Sequence, residues 1–527
     1  MHKIITSLIA ILAVTSLEAR QAPKLVVCIT VDQLRGDYIE YFYNSFGERG
    51  FKRLLNDGVV YNNIRFEFSN IDQATAFATL FTGSNPCFSG ITGNKTFDFN
   101  KETEVSILYD PEYIGNYTRE NYSPKKLYSS TIGDELKIAS KGRSDVYSVA
   151  PDAEAAILSA GNAANGAFWI DNMNGKWATT TYYKGLPWYV DRYNNGAESL
   201  PARLSKMIWT PGLPIAKYNA LPYVVDDMPF RYTFSEKTVD CYPSLKTSPF
   251  VNMEVTRLAS QFLEYGAFGT RGCPDMLSVT YYAGNFSRLM DREYTREIQD
   301  TYYQLDKDLE ILLDAIDKKV GLANALIVFT GSGYYKSIED YPEDLRVNGG
   351  NFYPKRCLAL LNMYLMQIYG QKTWVKGYYN GQIYLNRKAI EDEKLALEAV
   401  QDKAAEFVAQ FTGVQHVTTD CALRNGDWNE GTAKFRNGTH HLGRGDILIE
   451  LQPGWKINNE VKGETAKVVR NNAVHTPLIF LGNGLKQKKI YRTVKATEIA
   501  PTVTHILRIR PPNATIELPL RELKVEN

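Results

Sequence analysis

The sequence predicts an α/β protein: a central, mostly parallel sheet covered by helices on both faces, with two cap insertions. Three observations predict it. Residues 24–31 (KLVVCITV) form an unbroken apolar run that stops at Asp32, as a central strand covered on both faces does. Strand-like and helix-like stretches then alternate along the chain, as parallel strands joined by crossovers require. The 527 residues exceed what one simple core uses, so insertions are expected.

The elements follow in order. Residues 1–19 read as an export signal, with a basic start at Lys3, an apolar stretch and small Ala19 before Arg20. The apolar stretch is about 14 residues, short of the roughly 20 that span a bilayer. The mature chain then has no transmembrane segment and belongs in the periplasm, at the cell surface or in the medium. Residues 20–164 form the first part of the core. They hold the strand ending at Asp32, a helical stretch over 38–58, an extended stretch over 59–68, a helix over 75–80, a strand over 146–150 and a helix running toward Ala164.

Residues 165–250 are rich in Trp, Tyr and Pro and read as an irregular insertion lying over the sheet. The core resumes over 251–340, with strands at 276–281 and 325–330 around a strongly amphipathic helix at 294–318. There Ile298, Tyr302, Leu305, Leu309, Leu312 and Ile316 recur at helical spacing. Residues 341–445 read as a second cap with strand (381–386), helix (391–411) and strand (414–418). Residues 446–527 close the core with strands at 446–451 and 477–481 and a helix over 496–507.

Apolar residues make up 44% and charged residues 23% of the chain, with a net charge of +1. This describes a packed protein with no field to gather nucleic acid or an anionic membrane. The six cysteines are scattered without a CxxC pair. Cys28 reads as a buried free thiol, and the pairing of the others is not legible from sequence.

Several segments, in order, resemble the alkaline phosphatase superfamily, in particular the secreted single-chain bacterial alkaline phosphatases related to type I phosphodiesterase/nucleotide pyrophosphatases. They are VDQLRGDY (31–38), FTGSNP (81–86), GITGN (90–94), AILSAG (156–161), GKW (175–177), YY (182–183), HTPLIFLG (475–482) and EIAPT (498–502). The resemblance implies two zinc ions held by carboxylates and imidazoles, and a Thr or Ser nucleophile whose pKa the metals lower.

Carried over residue by residue, the resemblance places an Asp ligand at Asp32. It places the nucleophile at Gln73, an amide without nucleophilic character; Thr75 and Thr79 fall further into the helix. The Asp and His four residues apart become Asn285 and Leu289, and the adjacent Asp-His becomes Ser332 and Gly333. A phosphate-contacting Asn is kept as Asn94. The Lys and Arg of the monoesterases become Asp152 and Glu154, which would repel a phosphate dianion. The mature histidines are His416, His440, His441, His475 and His505, and none lies between residues 20 and 415.

Asp32 reads as a metal ligand or as a structural residue of the strand-to-helix turn. Asp152 and Glu154 read as a cation site with Asp32 or as solvated loop acids. The pair at 440–441 reads as metal ligands or as part of a glycine-rich turn.

The expectation from sequence is therefore an exported pseudoenzyme, without cofactor, that binds or scaffolds an unknown protein or envelope ligand. The alternative is an active phosphatase or phosphodiesterase with a relocated, single-metal site built from Asp32, Asn94, Asp152, Glu154 and Asn285.

Overall fold

The structure, a computed structural model, describes residues 21–98, 103–219, 229–288, 295–336, 349–426, 429–460, 467–468 and 474–523. The expected export signal lies outside the described residues.

Among these residues the central sheet has ten strands. In chain order they are β1 (Leu25–Asp32), β2 (Val59–Tyr61), β3 (Gly115–Asn116), β4 (Val146–Val149), β5 (Gly166–Ile170), β6 (Trp177–Thr180), β7 (Asp275–Tyr282), β8 (Ala325–Gly331), β9 (Leu478–Gly482) and β10 (Lys488–Ile490). Across the sheet they run β10-β2-β9-β8-β1-β7-β4-β5-β6-β3. The five strands from β8 to β5 are mutually parallel. Antiparallel β9 and β6 flank this block. The sequence expectation of an α/β fold on a mostly parallel sheet holds.

All eight residues of β1 are buried, and the period of two sorts them onto two cores. Leu25, Val27, Ile29 and Val31 face one core with Leu277, Val279, Tyr281, Ile327 and Phe329 from the neighbouring strands. Val26 and Cys28 face the other with Met276, Leu326 and Val328. The first core is closed by Phe250–Tyr265 and Thr295–Val320, the second by Gln73–Thr82, Ala153–Ala160 and Ile499–Leu507. Each large aliphatic or aromatic side chain buried this way contributes about 1.5–3 kcal/mol relative to exposure.

Four sequence expectations change. The helix over 38–58 is broken into Gly36–Tyr41, a short 3-10 turn at Tyr43–Ser45, and Phe51–Asp57. Asp306 of the long helix causes the break. Its carboxylate accepts from the Gly47 and Phe51 backbone N–H groups at 2.7 Å each. A Cβ at Gly50 would lie 2.3 Å from it.

Residues 166–180 are not irregular insertion but strands β5 and β6. Their buried side chains serve both cores, Phe168 and Trp177 on one side and Ala167 and Trp169 on the other, so no polar face marked them as strands. The helix over 391–411 is two, Arg387–Asp392 and Leu397–Val408. Lys394 between them has φ +54°, a left-handed turn that ends a helix. Finally, Ile447–Leu451 belongs to the second cap. It pairs with Gln382–Leu385 on one side and Val414–Thr419 on the other, over a separate apolar core.

The six cysteines are free thiols; burial raises the Cys28 pKa to about 12. No helix among the described residues is long and apolar enough to cross a membrane.

Asp308 is buried on the long helix, and burial first, then the Glu254 charge, push its pKa up to about 7, against a hydrogen bond with Thr256. Its folded pKa lies above the unfolded value of about 3.9. The proton it binds on folding therefore stabilises fully below that unfolded value, and this is lost as pH rises through about 7. Asp308→Asn should be more stable than the parent at pH 8.5, by on the order of 2 kcal/mol. The gap should close near pH 4, in denaturant titrations at both values.

Candidate functional site

The C-terminal edge of a parallel sheet is where α/β folds gather polar groups. Asp32 ends β1 there, opposite Tyr282 at the end of β7, while Val31 is opposite Gly331 at the end of β8. Asp32 is 3% exposed. Its Oδ2 accepts from Gln73 Nε2 at 3.0 Å and from the Tyr334 hydroxyl at 3.1 Å. Its Oδ1 is buried without a hydrogen-bond partner. Burial raises the Asp32 pKa to about 6; the nearby Ser332 and Tyr334 hydroxyls and Lys336 pull it down, and Asp152 adds to the rise.

Gln73 opens the helix Gln73–Thr82, two residues earlier than the sequence suggested. The reason is Asp72, whose Oδ1 accepts from Thr75 N at 3.0 Å while Asp72 N donates to Thr75 Oγ1 at 2.9 Å, a capping box. Thr75 is thus spent as a helix cap. Asn94 completes the same helix end. Its Oδ1 accepts from Ala74 N at 2.8 Å and its N donates to Asp72 Oδ2 at 2.7 Å.

Asp152 is the N-cap residue of Ala153–Ala160 and Glu154 lies in its first turn. Asp152 Oδ1 accepts from Lys246 Nζ at 3.0 Å, and Lys246 is 6% exposed. Half-buried Glu154 has its pKa raised to about 7, by burial first and then by the Asp152 charge. Glu120, which accepts from Trp169 Nε1 at 3.0 Å, is also raised by burial. Asp152 is therefore ion-paired and Glu154 desolvated, not the solvated loop acids of the sequence reading. A lysine remote in sequence sits among them.

The remaining expected positions are engaged elsewhere. Asn285 Oδ1 accepts from the Tyr335 hydroxyl at 2.8 Å and its Nδ2 donates to Lys336 O at 2.9 Å, so it ties together the loops after β7 and β8. Leu289 lies outside the described residues. Ser332 is fully buried and its Oγ accepts from Gln33 N at 2.8 Å. Gly333 has φ +73°, and a Cβ there would lie 2.2 Å from the Phe66 ring. His475 docks the strand-to-helix turn, its carbonyl accepting from Gly36 N at 2.7 Å.

Sequence reading missed Lys246, Tyr334 and Glu120. Lys246 sits in the stretch read as insertion and carries no motif. Tyr334 stands beside Gly333 but has no counterpart in the motif from which the loop was read.

The donors present do not fit a pair of zinc ions. Asp32 offers one unclaimed oxygen, Asn94 Oδ1 and Asn285 Oδ1 are already accepting hydrogen bonds, and Asp152 is paired with Lys246. No group of three or more His, Cys, Asp or Glu among the described residues could hold a metal ion.

The chain belongs to the type I phosphodiesterase/nucleotide pyrophosphatase family, whose profile matches residues 26–477. The alkaline phosphatase PafA of Elizabethkingia meningoseptica is 30% identical over 95% of this chain and 94% of its own. Its crystal structure superposes with a TM-score of 0.82, covering 96% of this chain and 99% of that one. A Myroides odoratus protein named calcium-transporting ATPase is 30% identical over 97% of this chain and 96% of its own. The alkaline phosphatase PhoV of Synechococcus elongatus is 28% identical over 94% of this chain and 92% of its own.

This kinship overturns the expectation of a binding or scaffolding pseudoenzyme. Relatives sharing the whole length and fold at this identity are named alkaline phosphatases, which favours the alternative, a phosphoric ester hydrolase.

The Phe66 ring blocks a simple return of the adjacent Asp-His pair. The double variant Ser332→Asp, Gly333→His should bind no zinc by metal analysis after dialysis. It should also lose roughly 2–4 kcal/mol of stability, because a side chain is forced both to a left-handed φ and into an occupied space.

Proposed function

We propose that the chain hydrolyses phosphate esters, phosphodiesters in preference to monoesters, at the sheet edge around Asp32 and Glu154. The observation that carries this is a pair of carboxylates poised near neutrality, at about 6 and about 7, each coupled to Asp152. A general base and a general acid work best when their pKa values straddle the operating pH. The full-length kinship with named alkaline phosphatases supports the reaction class.

In this reading ionised Asp32 takes a proton from water through its unclaimed Oδ1 as the water oxygen bonds to phosphorus. The ester P–O bond breaks, and protonated Glu154 gives its proton to the departing oxygen. Gln73 and Tyr334 hold Asp32 through Oδ2 and leave Oδ1 available. Charge on the phosphoryl oxygens is met by Lys246 and by the N-terminal end of Ala153–Ala160, whose backbone N–H groups carry partial positive charge. Asp152 disfavours a second negative charge on the substrate. A diester monoanion therefore suits the site better than a monoester dianion. The amino-terminal apolar stretch supports export as the setting.

The test is an assay of aryl phosphate mono- and diesters from pH 5 to 9, with and without chelator. Diester turnover should follow a bell with its maximum between about 6 and about 7 and should survive chelation. Asp32→Asn should lower kcat by roughly 10²- to 10⁴-fold, and Glu154→Gln should remove the alkaline limb. Absence of turnover, or turnover indifferent to Asp32→Asn, would overturn the proposal.

A further inference from the structure

Away from the sheet edge, a cavity of about 110 Å³ lies between core and second cap. The core contributes Thr92, Thr96 and Lys126; the cap contributes Thr439, His440 and Arg444. No Asp or Glu is among its lining residues. Its volume is several times the roughly 10–15 Å³ that one water needs, enough for a tetrahedral oxyanion.

The cations differ in what they already hold. Arg444 donates to Thr439 Oγ1 at 3.0 Å and to Asp420 Oδ1 at 3.2 Å. Lys126 is half-buried and makes no hydrogen bond or ion pair among the described residues. Burial lowers its pKa, with only the charge of Asp98 acting the other way. A half-buried ammonium with three donors and no protein acceptor can turn them to an anion in the cavity. His440 Nδ1 accepts from Leu442 N at 3.3 Å, so the N–H of the neutral ring is on Nε2. The ring rests on Tyr128, centroids 5.2 Å apart.

We infer that this cavity is a binding site for a phosphate-sized oxyanion, held by the Lys126 ammonium and the His440 Nε2–H with help from the threonine hydroxyls. Such an anion would clamp cap to core, beside the stacked pair Phe97 and Tyr384 and the Tyr379 hydroxyl that donates to Lys95 O. Thr92 stands two residues before Asn94, so an occupied cavity would stiffen the loop that closes the helix bearing Gln73. The site is separate from the proposed hydrolytic one and stands or falls without it.

Calorimetric titration with inorganic phosphate, and separately with sulfate, tests the inference on the full mature chain. Saturable binding is expected at roughly millimolar strength or tighter. Lys126→Met should weaken it about tenfold or more, as loss of a charge-assisted bond does. Lys126→Arg should retain it, and so should Asp32→Asn. Lys126→Met removes a charge that lacks a protein partner, so its melting temperature without anion should not fall. Selenate soaked into crystals gives a second reading, an anomalous peak between Lys126 and His440. No saturable binding, equal binding by Lys126→Met, or binding abolished by Asp32→Asn would overturn the site.

Discussion

Leu25–Asp32 is paired in parallel with a strand on each side, Asp275–Tyr282 and Ala325–Gly331, in an unbroken register. Every other feature near the site depends on that pairing. It sends alternate side chains into two different cores, so neither face can slip by one residue without exposing an entire apolar set. It also delivers Asp32 to the sheet edge with no choice of position. The carboxylate must then live in a place set by backbone hydrogen bonds, not by its own preference for water. Its raised pKa is the electrostatic consequence of that constraint.

Around this fixed point the chain has arranged neutral donors where a metal centre would need anions and imidazoles. An amide at Gln73 and a phenol at Tyr334 share one oxygen of Asp32, which tolerates either protonation state better than a second charge would. Ser332 and Gly333 serve the backbone: one accepts from Gln33 N, the other turns the chain where the Phe66 ring leaves no room for a side chain. These are self-consistent packing solutions. Close by, Lys246 is ion-paired with Asp152.

Legibility from sequence followed the range of the interactions. The β1 strand, the amphipathic long helix and the position of Asp32 were readable because a period of two or of 3.6 is a local property. The break in the helix over 38–58 was not, because Asp306 supplies its cap from more than two hundred residues away. Asp152 and Glu154 were found, but not the Lys246 that pairs with Asp152, since it comes from another segment. The pseudoenzyme reading failed too. It took the joint loss of the zinc-site positions as loss of the reaction, whereas relatives that share the whole chain are named alkaline phosphatases.

By itself the sequence determined the α/β class, the two-sided central strand, the family resemblance and the identity of the residues at each expected position. Only the tertiary structure decided which of those residues meet. Asn94 and Asn285 turned out to be tied to backbone and neighbouring side chains, Asp32 to keep one oxygen unclaimed, and Lys126 and His440, from segments more than three hundred residues apart, to line one cavity. The physical reason is that periodicity is written along the chain, whereas desolvation and charge pairing depend on what the fold packs against each group.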